Sequence, residues 1–223
     1  MDAPLPQLST KNVALDLNEM KKICKDILEK HLDGRKLDMT KIKNWAEMII
    51  NDIEDSFKKK YSDFFFGIFF YISDKTSFRS NNQSIYYTDT DKIFFVAFNT
   101  DDFYSEIRIF ANKKHSKRNN FLQNMSPDYI LKVNKKLQDS LEGRTFIYEK
   151  CEKYIDNIVN DINNILLERS NRPCSYHVGF INELPIKNLY FTYKITDIEY
   201  MPLFFNYSNE SLSSNIYLFI VNN

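Results

Sequence analysis

Two short phrases decide how this chain is read: HLDGRKL at residues 31–37 and SLEGRTF at residues 140–146. Each sets an apolar residue, an acid, a glycine and an arginine at the end of one amphipathic run and just before another. A glycine so placed suits the left-handed residue that follows a helix, where a side chain would be strained. The whole chain of 223 residues holds only four glycines, so spending two of them on one phrase points to a repeated structural unit. Residues 32–57 laid over residues 141–166, at a constant offset of 109 without gaps, agree at 8 of 26 positions. Among the agreements are Gly34 with Gly143, Arg35 with Arg144, Asn51 with Asn160 and Asp52 with Asp161. Other pairs keep their character: Trp45 falls on Tyr154, Ile50 on Val159 and Phe57 on Leu166.

The grammar around the phrases agrees with a repeat. Met20, Ile23, Ile27 and Leu28 recur at helical spacing up to Gly34, and Ile42, Trp45, Ile49 and Ile53 form the stripe of a second helix. In the second half Ser126-Pro127-Asp128 reads as an N-cap with proline at the first helical position. Ile130, Val133 and Leu137 then carry one stripe, and Cys151, Tyr154, Ile155, Ile158 and Ile162 the next. The polar faces of these helices are charged or amidic, so each helix lies on something by one side. Alternating and aromatic-rich runs supply it: residues 61–72, 84–89, 92–99 and 104–110, then 175–181, 188–194, 199–206 and 215–221 read as strands. FFFGIFFYI, at residues 64–72, is too short for a membrane span and reads as a strand buried on both faces or against a partner. The expectation is an α+β chain of two tandem copies of a two-helix plus four-stranded antiparallel unit. Its parts are a tail at residues 1–12, a first domain at 13–111, a basic linker at 112–125 and a second domain at 126–223.

Composition narrows the function classes. Thirty basic and 30 acidic side chains balance, so the electrostatic footprint of a nucleic-acid binder is missing. The positive excess is confined to the linker, through Lys113, Lys114, Lys117 and Arg118, as expected of a solvated connector. Cys24, Cys151 and Cys174 are odd in number and far apart, which suits a reduced, cytosolic protein. MDAPLPQLSTKN has no basic stretch followed by an apolar one, so no leader is expected. Phosphate-binding, zinc-protease and nucleophile-elbow motifs are absent. His31, His115 and His177 fall in a helix end, the linker and a strand, and the TDTD of residues 88–91 reads as a turn between strands. No catalytic residue, cofactor site or metal site is expected.

Two helices followed by four strands resemble the Tctex-type dynein light chains. The resemblance is carried by WAEMIINDIEDSF, FFFGIFFYI, IYYTDTDKIFFVAFN and EIRIFA in the first half, with Asn99 ending the third strand. The second half keeps Tyr190 and Asn206 but has Tyr193 and Lys194 in place of aspartates. SFKKKY also resembles the related eight-kilodalton dynein light chains, although the loop after the first strand favours the Tctex type. This resemblance implies a non-catalytic, cytoplasmic and cytoskeletal adaptor of a dynein or axonemal assembly. It implies a strand-exchanged pseudo-dimer within one chain, and docking of dynein intermediate chain or cargo-adaptor peptides by strand addition. Self-association is a further expectation, and a membrane partner is not one. The implied peptide edge is Ile85, Tyr86, Tyr87, Thr88 and Asp89 in the first half and Leu189, Tyr190, Phe191, Thr192 and Tyr193 in the second. The rival expectation is a module that binds nucleic acid or another anionic partner through the basic linker, or a small enzyme on the same fold.

Overall fold

The computed structural model describes residues 14–74, 80–85, 92–114, 127–167, 175–183, 189–196 and 203–220. Its elements run α1 (Leu17–Leu32), α2 (Ile42–Lys60), β1 (Phe64–Asp74), β2 (Ser80–Ile85), β3 (Lys92–Asn99) and β4 (Phe103–Lys113). They continue α3 (Pro127–Leu141), α4 (Tyr148–Leu167), β5 (Ser175–Glu183), β6 (Leu189–Ile195), β7 (Leu203–Ser208) and β8 (Leu212–Ile220). The order helix, helix and four strands therefore occurs twice, in an α+β fold with antiparallel sheets.

Helix ends follow local chemistry. Asp16 caps α1, its carboxylate accepting from the N–H groups of Asn18 at 3.0 Å and Glu19 at 3.1 Å. Gly34 and Gly143, the two glycines of the repeated phrase, have φ of +66° and +67°. Nothing lies within 4 Å of where a Cβ would stand at either one, so the cost of a side chain there is purely that of the backbone. Gly34→Ala and Gly143→Ala are each expected to cost about 1–2 kcal/mol in chemical denaturation, with asparagine cheaper than alanine at both positions. The arginine after each glycine folds back over the next helix: the Arg35 guanidinium lies 4.9 Å from the Trp45 ring centre and that of Arg144 lies 5.4 Å from Tyr154. These arginines tie each helix pair at the bend, as their place in the phrase suggests.

Two hydrophobic cores follow. In the first, Met20, Leu28, Trp45, Ile49, Ile53 and Phe57 pack on the even-numbered side chains of β1, with Phe66, Phe70 and Ile72 among them. In the second, Val133, Leu137, Cys151, Ile155 and Ile162 pack on Phe205, Leu212 and Ile216 of β7 and β8. The helical stripes are rotated slightly from those read by spacing. Cys24 is fully buried, whereas Ile23 only flanks the core. Tyr129 is buried, whereas Ile130 remains 37% exposed. The larger ring reaches the core from one position earlier in the helix.

Strand boundaries moved for backbone reasons. Tyr61, expected to open β1, instead closes α2, its N–H donating to the Phe57 carbonyl at 2.7 Å, and Phe64 N–H turns back to Tyr61 at 3.0 Å. The first strand therefore starts at Phe64 and is buried along both faces from Phe64 to Ser73. Of the expected strand 84–89, only Ser84 and Ile85 fall in β2, which runs Ser80–Ile85; Tyr86, Tyr87, Thr88 and Asp89, with the TDTD turn, lie outside the described residues. The third strand, β3, has the expected bounds. β4 runs on to Lys113, because β1 is long enough to pair with it up to Phe64, so Asn112 and Lys113 belong to the sheet and not to the connector. Ser126 and the rest of the connector after Lys114 lie outside the described residues. In the second half, β7 starts at Leu203 and β8 at Leu212, each offset from the bounds read by alternation.

Sheet topology carries the main structural result. One sheet has the order β3-β4-β1-β6 and the other β2-β5-β8-β7. The second strand of each set thus leaves its own first strand and pairs with the first strand of the other set: β6 lies antiparallel to β1, and β2 antiparallel to β5. β6 also lies against α2, and β2 against α4.

Candidate functional site

β6 is the edge strand of the first sheet. Its seat is built from both of its faces and from its backbone. On the face toward α2, Tyr190 packs against the first core, and Lys194 Nζ donates to Asn51 Oδ1 at 2.8 Å and pairs with Glu54. Glu54 is buried and also receives Lys58 Nζ at 2.6 Å. Burial by itself would raise the Glu54 carboxyl, but the hydrogen bonds and charges of Lys194 and Lys58 together hold it below the ordinary glutamate value. It is therefore a carboxylate held in place by cations, not a proton donor near neutrality.

On the opposite face, aromatic rings are aligned across the strands. Phe191 lies 4.7 Å from Tyr71, Tyr193 is stacked on Phe69 at 6.0 Å, and Phe191 and Tyr193 stack on each other at 6.2 Å. The Arg108 guanidinium lies 5.2 Å from the Tyr71 ring centre and is paired with Glu106, which Tyr104 also hydrogen-bonds. Tyr71 and Phe69 are buried, but Tyr193 at the edge is 38% exposed.

Backbone parity shows which groups of β6 face outward. Thr196 N–H donates to the Phe66 carbonyl at 2.9 Å, and Phe66 N–H donates to Thr196 Oγ1 at 2.8 Å. In an antiparallel ladder hydrogen-bonded pairs recur every second residue. The pairs Ile68 with Lys194, Phe70 with Thr192 and Ile72 with Tyr190 therefore bond across the ladder. Lys114 N–H donates to the Asp63 carbonyl at 2.7 Å, so the odd-numbered residues of β1 bond to β4, which is consistent with the same alternation. It follows that the N–H and C=O groups of Leu189, Phe191, Tyr193 and Ile195 point away from β1, along a rim that no described strand covers.

The expected edge residues are distributed accordingly. Leu189, Tyr190, Phe191, Thr192 and Tyr193 all lie on β6. Phe191 and Tyr193 share its outward backbone parity, whereas Tyr190 and Thr192 are turned to β1. Ile85 ends β2, opposite His177 of β5, on the edge strand of the other sheet. Glu54, Asn51, Lys194 and Thr196 were not among the expected site residues, although Asn51 is one of the repeat matches and Lys194 stands in place of a family aspartate. Glu54 reads as one more charge on a solvent-facing helix side; only Lys194, a lone cation in LYFTYKI, hints at a buried acid.

Other reactive groups are structural where they are described. His31 Nε2 lies 2.8 Å from Asp52 Oδ2, which also takes Lys30 Nζ at 2.7 Å. The hydrogen bonds of Lys30 and His31 lower the Asp52 carboxyl. Burial pushes the Cys24 thiol far up, which removes the thiolate a nucleophile needs. Burial, together with Glu19, raises the Tyr61 phenol to about 12. Among the described residues no three His, Cys, Asp or Glu side chains are gathered so as to hold a metal ion, and no described helix is long and apolar enough to cross a membrane.

Residues 14–112 match the model of the Tctex-1 family. The match spans α1 through nearly all of β4, which is one full set of two helices and four strands. No curated protein matches the chain.

Proposed function

We propose, from the premise that residues 14–112 are a Tctex-type dynein light chain domain, that this chain is a non-catalytic adaptor that docks linear peptides by strand addition. On this reading its two halves are tandem copies folded as a strand-exchanged pseudo-dimer within one chain. The partners are dynein intermediate chain or cargo-adaptor segments, in a cytoplasmic, cytoskeletal assembly. The observation that carries the reading is the position of β6: an aromatic strand that pairs with β1 among the described strands, at the edge of a sheet whose other three strands come from the other half of the chain. A sheet edge with no described strand beyond it suits the addition of an extended peptide, whose backbone would bond along the rim while the neighbouring side chains give selectivity. Tyr193, exposed beside that rim, supplies apolar surface for a peptide side chain. β2, with Ile85 at its end, is the edge strand of the other sheet, with a more polar sequence, SNNQSI.

Backbone parity gives a clean test. Phe191→Pro removes an outward N–H and sets a ring where an added strand would lie, yet leaves the ladder to β1 intact. Binding of an intermediate chain peptide, followed by fluorescence anisotropy, is expected to weaken by roughly 10- to 100-fold in this variant, about the worth of one or two backbone hydrogen bonds plus the steric clash. Unchanged affinity with a folded protein would remove β6 as the docking edge.

A further inference from the structure

The two exchanged strands carry different residues at corresponding register positions. Strand glycines set the correspondence: Gly67 of β1 stands opposite Ile195 of β6, and Gly179 of β5 stands opposite Gln83 of β2. One residue further on, Ile68 faces Lys194 and Phe180 faces Asn82. Lys194 and Asn82 thus hold the same register position in the two sheets. In the helices, the sequence offset of 109 aligns Glu54 with Asn163, and Asn51 with Asn160. Where the first half has Glu54 and Lys194, the corresponding positions of the second, Asn163 and Asn82, are both asparagine.

We propose that Glu54 and Lys194, with Asn51, form an address that assigns β6, and not β2, to the sheet of the first half. Only the unlike combination makes the ion pair. If β2 lay on β1, whether from the same chain or from a second copy, Asn82 would take the place of Lys194 and leave buried Glu54 with Lys58 as its one cation. If β6 lay on β5, the position aligned with Glu54 would be Asn163, which offers Lys194 no acid. A buried carboxylate that loses a partner is penalised far more than an exposed one. The pair therefore works against two competitors at once: closure of each half on its own second strand, and pairing of like halves between chains. The tether favours partners within one chain, and the address decides which strand pairs with which sheet.

The inference rests on the exchanged pairing in the reading above and not on peptide docking. Hydrogen exchange by mass spectrometry on the full chain, without peptide, tests it. Lys194→Met keeps the side-chain stem and removes the charge, and Glu54→Gln removes its partner. Either variant is expected to speed exchange in β6 by roughly tenfold or more, while β2 on β5 stays as protected as before. The double variant should be no faster than the worse single one, since both remove the same interaction, and Lys194→Arg should remain protected. Unchanged β6 protection in Lys194→Met overturns the proposal. So does equal loosening of β2 and β6, which marks general destabilisation, and so do additive effects in the double variant. Should Glu54→Gln fail to fold, Lys194→Met decides alone, because that side chain is 40% exposed. An unprotected β6 in the unaltered chain would remove the exchanged pairing itself. Loss of peptide docking with the address intact would touch only the adaptor reading.

Discussion

Phe66→Ala is expected to destabilise the chain by about 3–5 kcal/mol, measured by denaturant unfolding. Phe66 is fully buried in the first core, with its ring 5.0 Å from that of Phe57 on α2. Deleting the ring removes apolar area that the interior cannot refill, because α2 is held on the same core by Ile49, Ile50 and Ile53. The position has a second role. The backbone of Phe66 exchanges hydrogen bonds with Thr196 at 2.8 and 2.9 Å, so a shift of β1 here also disturbs the end of β6. Phe95→Ala is the control. That ring is 60% exposed on the edge strand β3, and its loss should stay within about 0.5 kcal/mol. Similar costs for the two variants would contradict the placement of the core.

Thr192→Pro carries the other large effect. Thr192 stands opposite Phe70, at the centre of the β1–β6 ladder and in the hydrogen-bonded parity. Proline there removes the donor and leaves the Phe70 carbonyl buried and unmet, at a cost of about 2–4 kcal/mol from the lost bond and the stranded acceptor together. Hydrogen exchange should show β6 released as a unit, with β1 protected only at the residues that bond to β4. Phe191→Pro, one residue away, should leave the ladder protected. Substitution of neighbouring residues by the same amino acid thus separates a role in pairing from a role in docking. Equal release of β6 by both variants would show that the strand parity is wrong.

Much of this could be read along the chain because it is written locally. A glycine after an amphipathic run has one main use, so Gly34 and Gly143 announced their left-handed turns, and the repeated phrase around them announced the second set of elements. Phe64 to Ile72 could be read as a buried strand because no charged residue interrupts it, and the structure buries it on both faces. The missed details are those in which two distant groups meet. Glu54 looks like any exposed helix acid until Lys194, 140 positions later in the chain, is laid beside it. Tyr129 is buried and Ile130 is not, because the core, not the helix, decides which side chain it admits. Edge residues were proposed for both halves on a family likeness, and side-chain chemistry alone did not separate Phe191 and Tyr193 from Tyr190 and Thr192 by backbone direction.

By itself the sequence determined the order of elements, the helix stops at LDGR and LEGR, and the faces that must be buried. These depend on the rotation per residue and on backbone strain, both of which are local. Only the tertiary structure decided that β6 lies on β1 and β2 on β5. Alternation with a period of two says which side of a strand is apolar but not which strand lies next to it. That choice is made by contacts across more than 100 residues, where Thr196 reaches Phe66 and Lys194 reaches Asn51 and Glu54.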